Sequence, residues 1–479
     1  MRNKPMCLKT IMANTAFFGL AAFLLFTPAT FAAATTGPTD GAVIDAVTDN
    51  NASALNLLLK AGGKSNAKND EGVPALVLAS RQNEADVAGV LLASGADVNA
   101  TDNAGMSALD AAVDNKNPDL VQKLLDNHAD VNARTVVGET PLELAVETDD
   151  VSVVKLLLAA NPNIDTSDNA GYTPLIWAIR HHNTDMVKAL IDDGANVNWQ
   201  SKSGSFASPI LQATYLGYPD MLNLLLSHGA KVDIRNAYGN TPLQNTIVYK
   251  QSLPCVLLLI AHHADVNSRN NNGYTPLINA AYYGSLPIVQ ALLNAGADPN
   301  IANATSGTPL MWAAVKGQPK VVEALVDKGA NVDAKQYSGW TAFLLATVSD
   351  QLEIAGYLLT KGADINSQTD PNSHSRTALM LATMGWRKDV VQFLLDKGAD
   401  VNITDSEGRT ALTIAEAIHN GQEDSSELIL EEGNIIRSFN PSNTPDVQFQ
   451  PDQNSNDLRE TQSDIIALLR AAAAKHLKH

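Results

Sequence analysis

Apolar positions along this chain recur in a short pattern that returns about every 33 residues. One turn of it runs from Asn270-Asn271-Asn272-Gly273-Tyr274-Thr275-Pro276-Leu277 through Ala280-Ala281 and Leu292-Leu293 to Gly296-Ala297-Asp298-Pro299-Asn300. Asn271 to Gly273 is turn chemistry. Thr275 is placed to cap a helix with its side-chain oxygen, and Pro276 fits the first helical position. Gly296 stands where a helix ends in a residue of positive φ, which glycine adopts without steric cost. The segment therefore predicts a turn, a helix, a tight turn, a second helix and an exit loop. Two such short helices bury one face each, too little to stand alone, so the unit needs copies on both sides.

The copies are present. The apolar residue two after the capping Thr or Ser recurs as Leu109, Leu142, Leu175, Ile210, Leu243, Leu277, Leu310, Phe343, Leu379 and Leu412, with Leu76 before them. Steps between these anchors are 33 residues except for three of 35, 34 and 36. Three residues after the anchor stands alanine in every repeat but one, which has Thr246. A small residue there lets one helix lie close against the next. The exit phrase recurs as Gly95 to Asn99, Gly194 to Asn198, Gly329 to Asp333 and Gly398 to Asn402.

A 33-residue period carrying this phrase resembles the ankyrin-repeat family over about residues 42–475. The resemblance implies an all-α solenoid of helix-turn-helix layers with β-hairpin loops, about eleven repeats plus an N-terminal cap. Residues 40–68 have no Thr-Pro start and read as a degenerate capping repeat, since solenoid ends need polar-faced caps. Residues 69–475 form the array. Its last repeat begins at Thr410-Ala411-Leu412, and the partner helix expected at Asp464 to Arg470 arrives after an insert at about 420–460. The alternative takes Ser426 to Glu432 as the second helix and residues 464–475 as an added cap. The 35- and 36-residue steps lengthen hairpins, at residues 203–207 and 370–375. The 34-residue step falls between the two helices before Pro254. The family's usual Thr-Pro-Leu-His has no His here; that place holds Val77, Asp110, Glu143, Ile176, Leu211, Gln244, Ile278, Met311, Leu344, Met380 and Thr413. Packing is expected to replace the polar tie the His would make.

Residues 1–34 read as a secretory signal: basic Arg2, Lys4 and Lys9, an apolar run from Ala16 to Phe26, and small residues Ala32-Ala33-Ala34 for cleavage. The apolar run is shorter than the roughly 20 residues that span a bilayer. Export with cleavage is expected, most simply to a bacterial periplasm, with no stable membrane insertion afterwards; a secreted eukaryotic chain fits the same leader. Cys255 is then the single cysteine, so no intrachain disulfide forms, and its place on a second helix predicts a core role.

Charge narrows the partners. The net charge of −18 opposes phosphate backbones, so no nucleic acid is expected. Basic protein partners, or plain solubility, suit such a surface. No catalytic motif appears, so neither catalysis nor a cofactor is expected. The pairs His181-His182 and His262-His263 make poor chelates, because neighbouring side chains on a helix diverge. The repeated Asp-Val-Asn phrases deal their oxygens out one set per layer, whereas calcium needs six to eight on one point.

What remains is a surface. Partners of ankyrin-like proteins contact hairpin tips, the residue between Gly and Thr, and the two residues after the alanine pair. Those places here hold Tyr172, Arg180, His181, Tyr215, Tyr238, Tyr249, Tyr274, Tyr282, Tyr283, Tyr337 and Trp340, including eight of the ten tyrosines. Tyrosine, tryptophan and arginine dominate binding hot spots. Trp177 and Trp312, two after their anchors, are expected in the core. The sequence thus predicts a monomeric, non-catalytic module holding a protein or peptide on the concave face of repeats four to nine. Its rivals are an envelope spacer and a secreted effector acting on host proteins.

Overall fold

The computed structural model describes residues 38–168, 170–201, 208–422 and 455–476. The leader, residues 203–207, most of the insert and the alternative helix at Ser426 lie outside the described residues. Within them, twelve helix pairs follow one another, from Asp40–Thr48 with Ala52–Lys60 to Ala411–His419 with Ser455–His476. First helices pack on first helices and second on second, so the array is two helical rows over one continuous apolar interior.

Local chemistry sets each boundary. Thr275 lies in extended backbone and accepts from the N–H of Ile278, and Pro276 opens the helix Pro276–Tyr283. Thr173, Thr308, Thr341 and Thr377 cap in the same way. Second helices such as Leu286–Asn294 end before a residue of positive φ, Gly296 at 90°. His128 and His263 occupy that place in their repeats, at 66° and 64°. All the anchors except Leu412 are buried, as are the alanines three residues on.

Hairpins join the repeats. Isolated antiparallel bridges form at Lys68–Pro74, Thr101–Ser107 and Gln368–Thr377. Neighbouring hairpins bond main chain to main chain: Asn271 N–H donates to Tyr238 O, and Ala304 N–H to Asn272 O. Gly273 permits the second contact, since it sits at φ 76° and a Cβ there would lie 2.7 Å from the nitrogen of Ala304.

The length departures are visible. The helix Leu253–Ala261 begins ten residues after Leu243, whereas Pro219–Ser227 begins nine after Ile210. The extra residue falls in the turn where Gln251 takes a φ of 51°. Pro371–Ser373 coils into a 3-10 turn that absorbs the longest hairpin. The helix Ser455–His476 lies against both Lys388–Asp396 and Ala411–His419. Ile465, Ile466 and Leu469 are buried there, and Arg470 pairs with Glu416 at 2.7 Å.

The exit loops tie layers together. Asp298 Oδ1 accepts from its own loop at Asn300 N–H, as the turn chemistry predicts. A further bond runs between repeats: Asn66 Oδ1 accepts from Asp97 N–H, Asn99 from Asp130, Asn300 from Asn331 and Asn366 from Asp400, at 2.7–2.9 Å. Asp165, Asp233 and Asp333 make the same rung with a carboxylate. The recurring Asp and Asn are thus structural crosslinks, one per layer. Among the described residues no group of three or more His, Cys, Asp or Glu is placed to hold a metal ion. No described helix is long and apolar enough to cross a membrane.

Candidate functional site

The C-terminal ends of the first helices and the adjoining hairpins carry most of the sequence-predicted residues. Five or six residues after each anchor the helix has turned outward, and there stand Arg180, His181, Tyr215, Tyr249, Tyr282 and Tyr283. Stacking first helices one repeat apart brings these side chains into a row.

The row extends over four repeats. Tyr215 meets Tyr249 edge-on at 5.0 Å between ring centroids. Burial raises the phenol of Tyr249, with Tyr238 and Tyr215 adding to it. The same cause raises Tyr283, followed by its neighbours Tyr282 and Tyr249. Tyr282 and Tyr283 stand perpendicular at 5.0 Å, and Tyr282 meets Trp312 at 5.6 Å. The ammonium of Lys316 sits 4.5 Å above the ring of Tyr282, a cation–π contact at the end of the row.

A second aromatic group lies one repeat earlier. Tyr172 packs edge-on against Trp177 at 5.6 Å, and the guanidinium of Arg180 covers both rings at 5.0 and 5.2 Å. His181 leans on Trp177, and Trp177 Nε1 donates to Asp168 at 3.1 Å. His182 stacks on Tyr218 at 3.9 Å and bonds Asp220, which spends both groups on a local contact between repeats.

Three sequence expectations need correction. Tyr274 and Trp340, between Gly and Thr, turn inward from the hairpin and are buried, Trp340 to 2% exposure. Tyr274 packs on Trp312 at 5.5 Å, so local packing claims both residues and neither offers a surface. Trp312 is in the core as expected, but Trp177 is only partly buried and belongs to the aromatic surface. Tyr238 and Tyr337 are exposed at their hairpin tips, at 58% and 74%. Tyr337 takes no part in the ring contacts described above.

Charge on this face departs from that of the whole chain. The seven first helices from Pro174–Arg180 to Ala378–Met384 contain no Asp or Glu. Arg180, Lys250 and Lys316 border the row. The earlier first helices Ala108–Asp114 and Pro141–Glu147 carry two acidic residues each.

The position two after the anchor was missed as a site. It reads Leu78, Ala111 and Leu144 at one end and Leu345, Leu381 and Ile414 at the other, but Trp177, Gln212, Asn245, Asn279 and Trp312 between them. A polar or indole side chain at one register in consecutive repeats is the signal that distinguishes these five layers. Cys255 is buried, and burial raises its thiol pKa, as suits a core residue.

The family model described as ankyrin repeats (3 copies) matches residues 43–135, 109–201, 210–303, 295–369 and 367–440. No curated protein matches the chain. Taken with twelve stacked helix pairs, most of them opened by a capping threonine and crosslinked through their exit loops, that coverage places the chain in the ankyrin-repeat family.

Proposed function

We propose that this chain binds a protein or peptide partner along the concave face of its middle repeats, between Tyr172 and Lys316. Ankyrin repeats are in general protein–protein interaction modules, and nothing described here indicates catalysis. The observation that carries the reading is the set of aromatic contacts on consecutive first helices, Tyr215 on Tyr249 in two repeats and Tyr283, Tyr282 and Lys316 in the next two. Rings of this kind give large contact area at small entropic cost, and an aromatic patch running through several layers marks an interaction surface.

The acidic total charge suggested a basic partner, but the face itself lacks carboxylates on its first helices. A neutral or acceptor-rich segment suits it better. The leader of residues 1–34 adds the proposal that binding takes place after export, in a periplasm.

Tyr249 is exposed and Tyr215 half-buried, whereas Tyr282 and Tyr283 pack against the core. Replacing Tyr215 and Tyr249 together by Ala therefore separates binding from folding. Co-purification of the processed chain from its native compartment should return a stoichiometric partner, and the double variant should bind it at least tenfold more weakly at an unchanged Tm. Equal affinity would remove this face as the site, and the absence of any stoichiometric partner would favour a spacer.

A further inference from the structure

The middle repeats hold a set of polar groups that the fold does not satisfy. Gln212, Asn245 and Asn279 lie two residues after Ile210, Leu243 and Leu277, at one register on three consecutive first helices. They are 1%, 0% and 7% exposed, yet Gln212 Nε2, Asn245 Nδ2 and Asn279 Nδ2 have no hydrogen-bond partner. Leaving a buried N–H unmade costs the full desolvation of the group, and native interiors rarely tolerate it. Three in a row, in the layers that also carry the tyrosines, is an arrangement awaiting acceptors.

The position faces the corner between first helix and hairpin. Asn245 Oδ1 there accepts from the hairpin side chain of Asn236 at 3.1 Å, and Trp177 at the same register reaches the hairpin at Asp168. Tyr215 stands three residues beyond Gln212, Tyr249 four beyond Asn245, and Tyr282 and Tyr283 three and four beyond Asn279. Side chains so spaced on a helix lie over one another, so the rings roof the amides. Rotamer changes of the exposed Tyr249 and the half-buried Tyr215, fast for side chains at a surface, uncover the first two amides.

We propose that this row of amides reads the main-chain carbonyls of a proline-rich segment in polyproline II conformation, laid along the groove with its rings between the tyrosines. The inference rests on the binding face proposed above and names its ligand. Three observations select the class. The unmet atoms of the three amides are N–H donors and the seven first helices carry no carboxylate. A ligand rich in acceptors and poor in donors fits that, and proline contributes a carbonyl but no N–H. Successive helix layers are about 8–10 Å apart, and polyproline II completes a turn of three residues in about 9 Å. One donor per layer thus meets one carbonyl per turn, which predicts contacts at every third residue over about nine residues. Aromatic-lined grooves with interspersed donors recognise this conformation in general. The cations Arg180, Lys250 and Lys316 at the border, against a surface elsewhere acidic, favour a segment carrying Asp or Glu over one carrying Lys or Arg.

The test uses the full processed chain and three fluorescent probes of equal length: a peptide with proline at every third position and one Glu, its Lys counterpart, and a Gly-Ser peptide. A chito-oligosaccharide serves as the competing ligand class. Fluorescence anisotropy should rank the Glu-containing proline peptide first, at least tenfold tighter than Gly-Ser. The double variant Gln212→Met, Asn279→Leu should lose at least tenfold in affinity for that peptide. Its Tm should stay level or rise, because two unmet donors are removed; a purely structural role would lower it. Binding of the proline peptide no tighter than Gly-Ser, preference for the oligosaccharide, or undiminished binding by the amide variant would overturn the inference. A partner weakened by the tyrosine substitutions but not by the amide ones would sink the ligand class and leave the binding face standing.

Discussion

The side chain of Gln244 donates from Nε2 to the main-chain oxygen of Tyr274 at 2.7 Å, thirty residues along and one repeat away. Its Oε1 accepts from Thr241 N–H at 3.1 Å, completing a capping box. The family's His is absent from this register, and the sequence suggested that packing alone replaced its tie; Gln244 retains a polar tie in one layer. Gln244→Leu should lower stability by about 1–3 kcal/mol, since it leaves Thr241 N–H buried without its acceptor. A shift of the urea midpoint measures this, and no shift would mean that the bond is neutral.

Glu143 holds the same register three repeats earlier and is less well served. Oε2 accepts from Thr140 N–H at 2.8 Å, while Oε1 is buried without a partner. Burial is the main cause lifting its carboxyl to about 7; the Thr140 bonds oppose it, Asp168 adds to it and Arg134 lessens it. Because the folded value lies above the unfolded one of 4.5, the folded chain keeps a proton that the unfolded chain has released. The stabilisation is full below pH 4.5 and is lost as pH rises through about 7. Glu143→Gln supplies the side chain that the chain itself uses at position 244. The variant should be more stable than the parent by roughly 1–3 kcal/mol at pH 8 and close to it at pH 4.5. Urea midpoints at the two pH values decide it, and an equal difference at both would rule out the carboxyl as the cause.

His128 and His263 end their second helices at φ 66° and 64°, where Gly95, Gly296 and Gly398 stand in other repeats. A side chain in the left-handed region costs about 1 kcal/mol. His128→Gly and His263→Gly should each stabilise by up to about 1 kcal/mol, less what the unfolded chain gains in freedom. Thermal melts of the single variants measure this. A lower Tm would show that the imidazoles make contacts worth more than the strain.

Much of the fold was legible because repetition averages out local accident. A single Thr-Pro pair is a weak helix start, but hydroxyl residues recurring at 33–36-residue steps from Thr140 to Thr410 leave no other reading. The site was less legible. Tyr172, Tyr274 and Trp340 share one place in the pattern, yet Tyr172 is only partly buried and the other two are buried. What separates them is the residue each ring meets, which spacing does not reveal. Likewise the exit-loop Asn residues read as turn formers, and their bonds to the next repeat appear only once the layers are stacked.

Asn300 shows how much those crosslinks matter. Its Oδ1 accepts from Asn331 N–H at 2.8 Å and its Nδ2 donates to Gly329 O at 3.0 Å, so one exposed side chain bridges two repeats twice. In a solenoid each layer touches only its neighbours, so the interface term carries cooperativity along the rod. Asn300→Ala removes both bonds and should cost about 1–2 kcal/mol. Asn300→Asp keeps the acceptor, as Asp333 does for Asp364 N–H at 3.1 Å, but turns the second bond into an oxygen facing an oxygen. Asp should therefore cost less than Ala at acid pH, where its carboxyl can donate, and about as much at pH 8. Hydrogen exchange of the Asn331 amide reports the rung directly: it should speed up in the Ala variant and stay protected in the Asp variant. Equal protection in all three would mean that helix packing, not the asparagine rung, holds these layers in register.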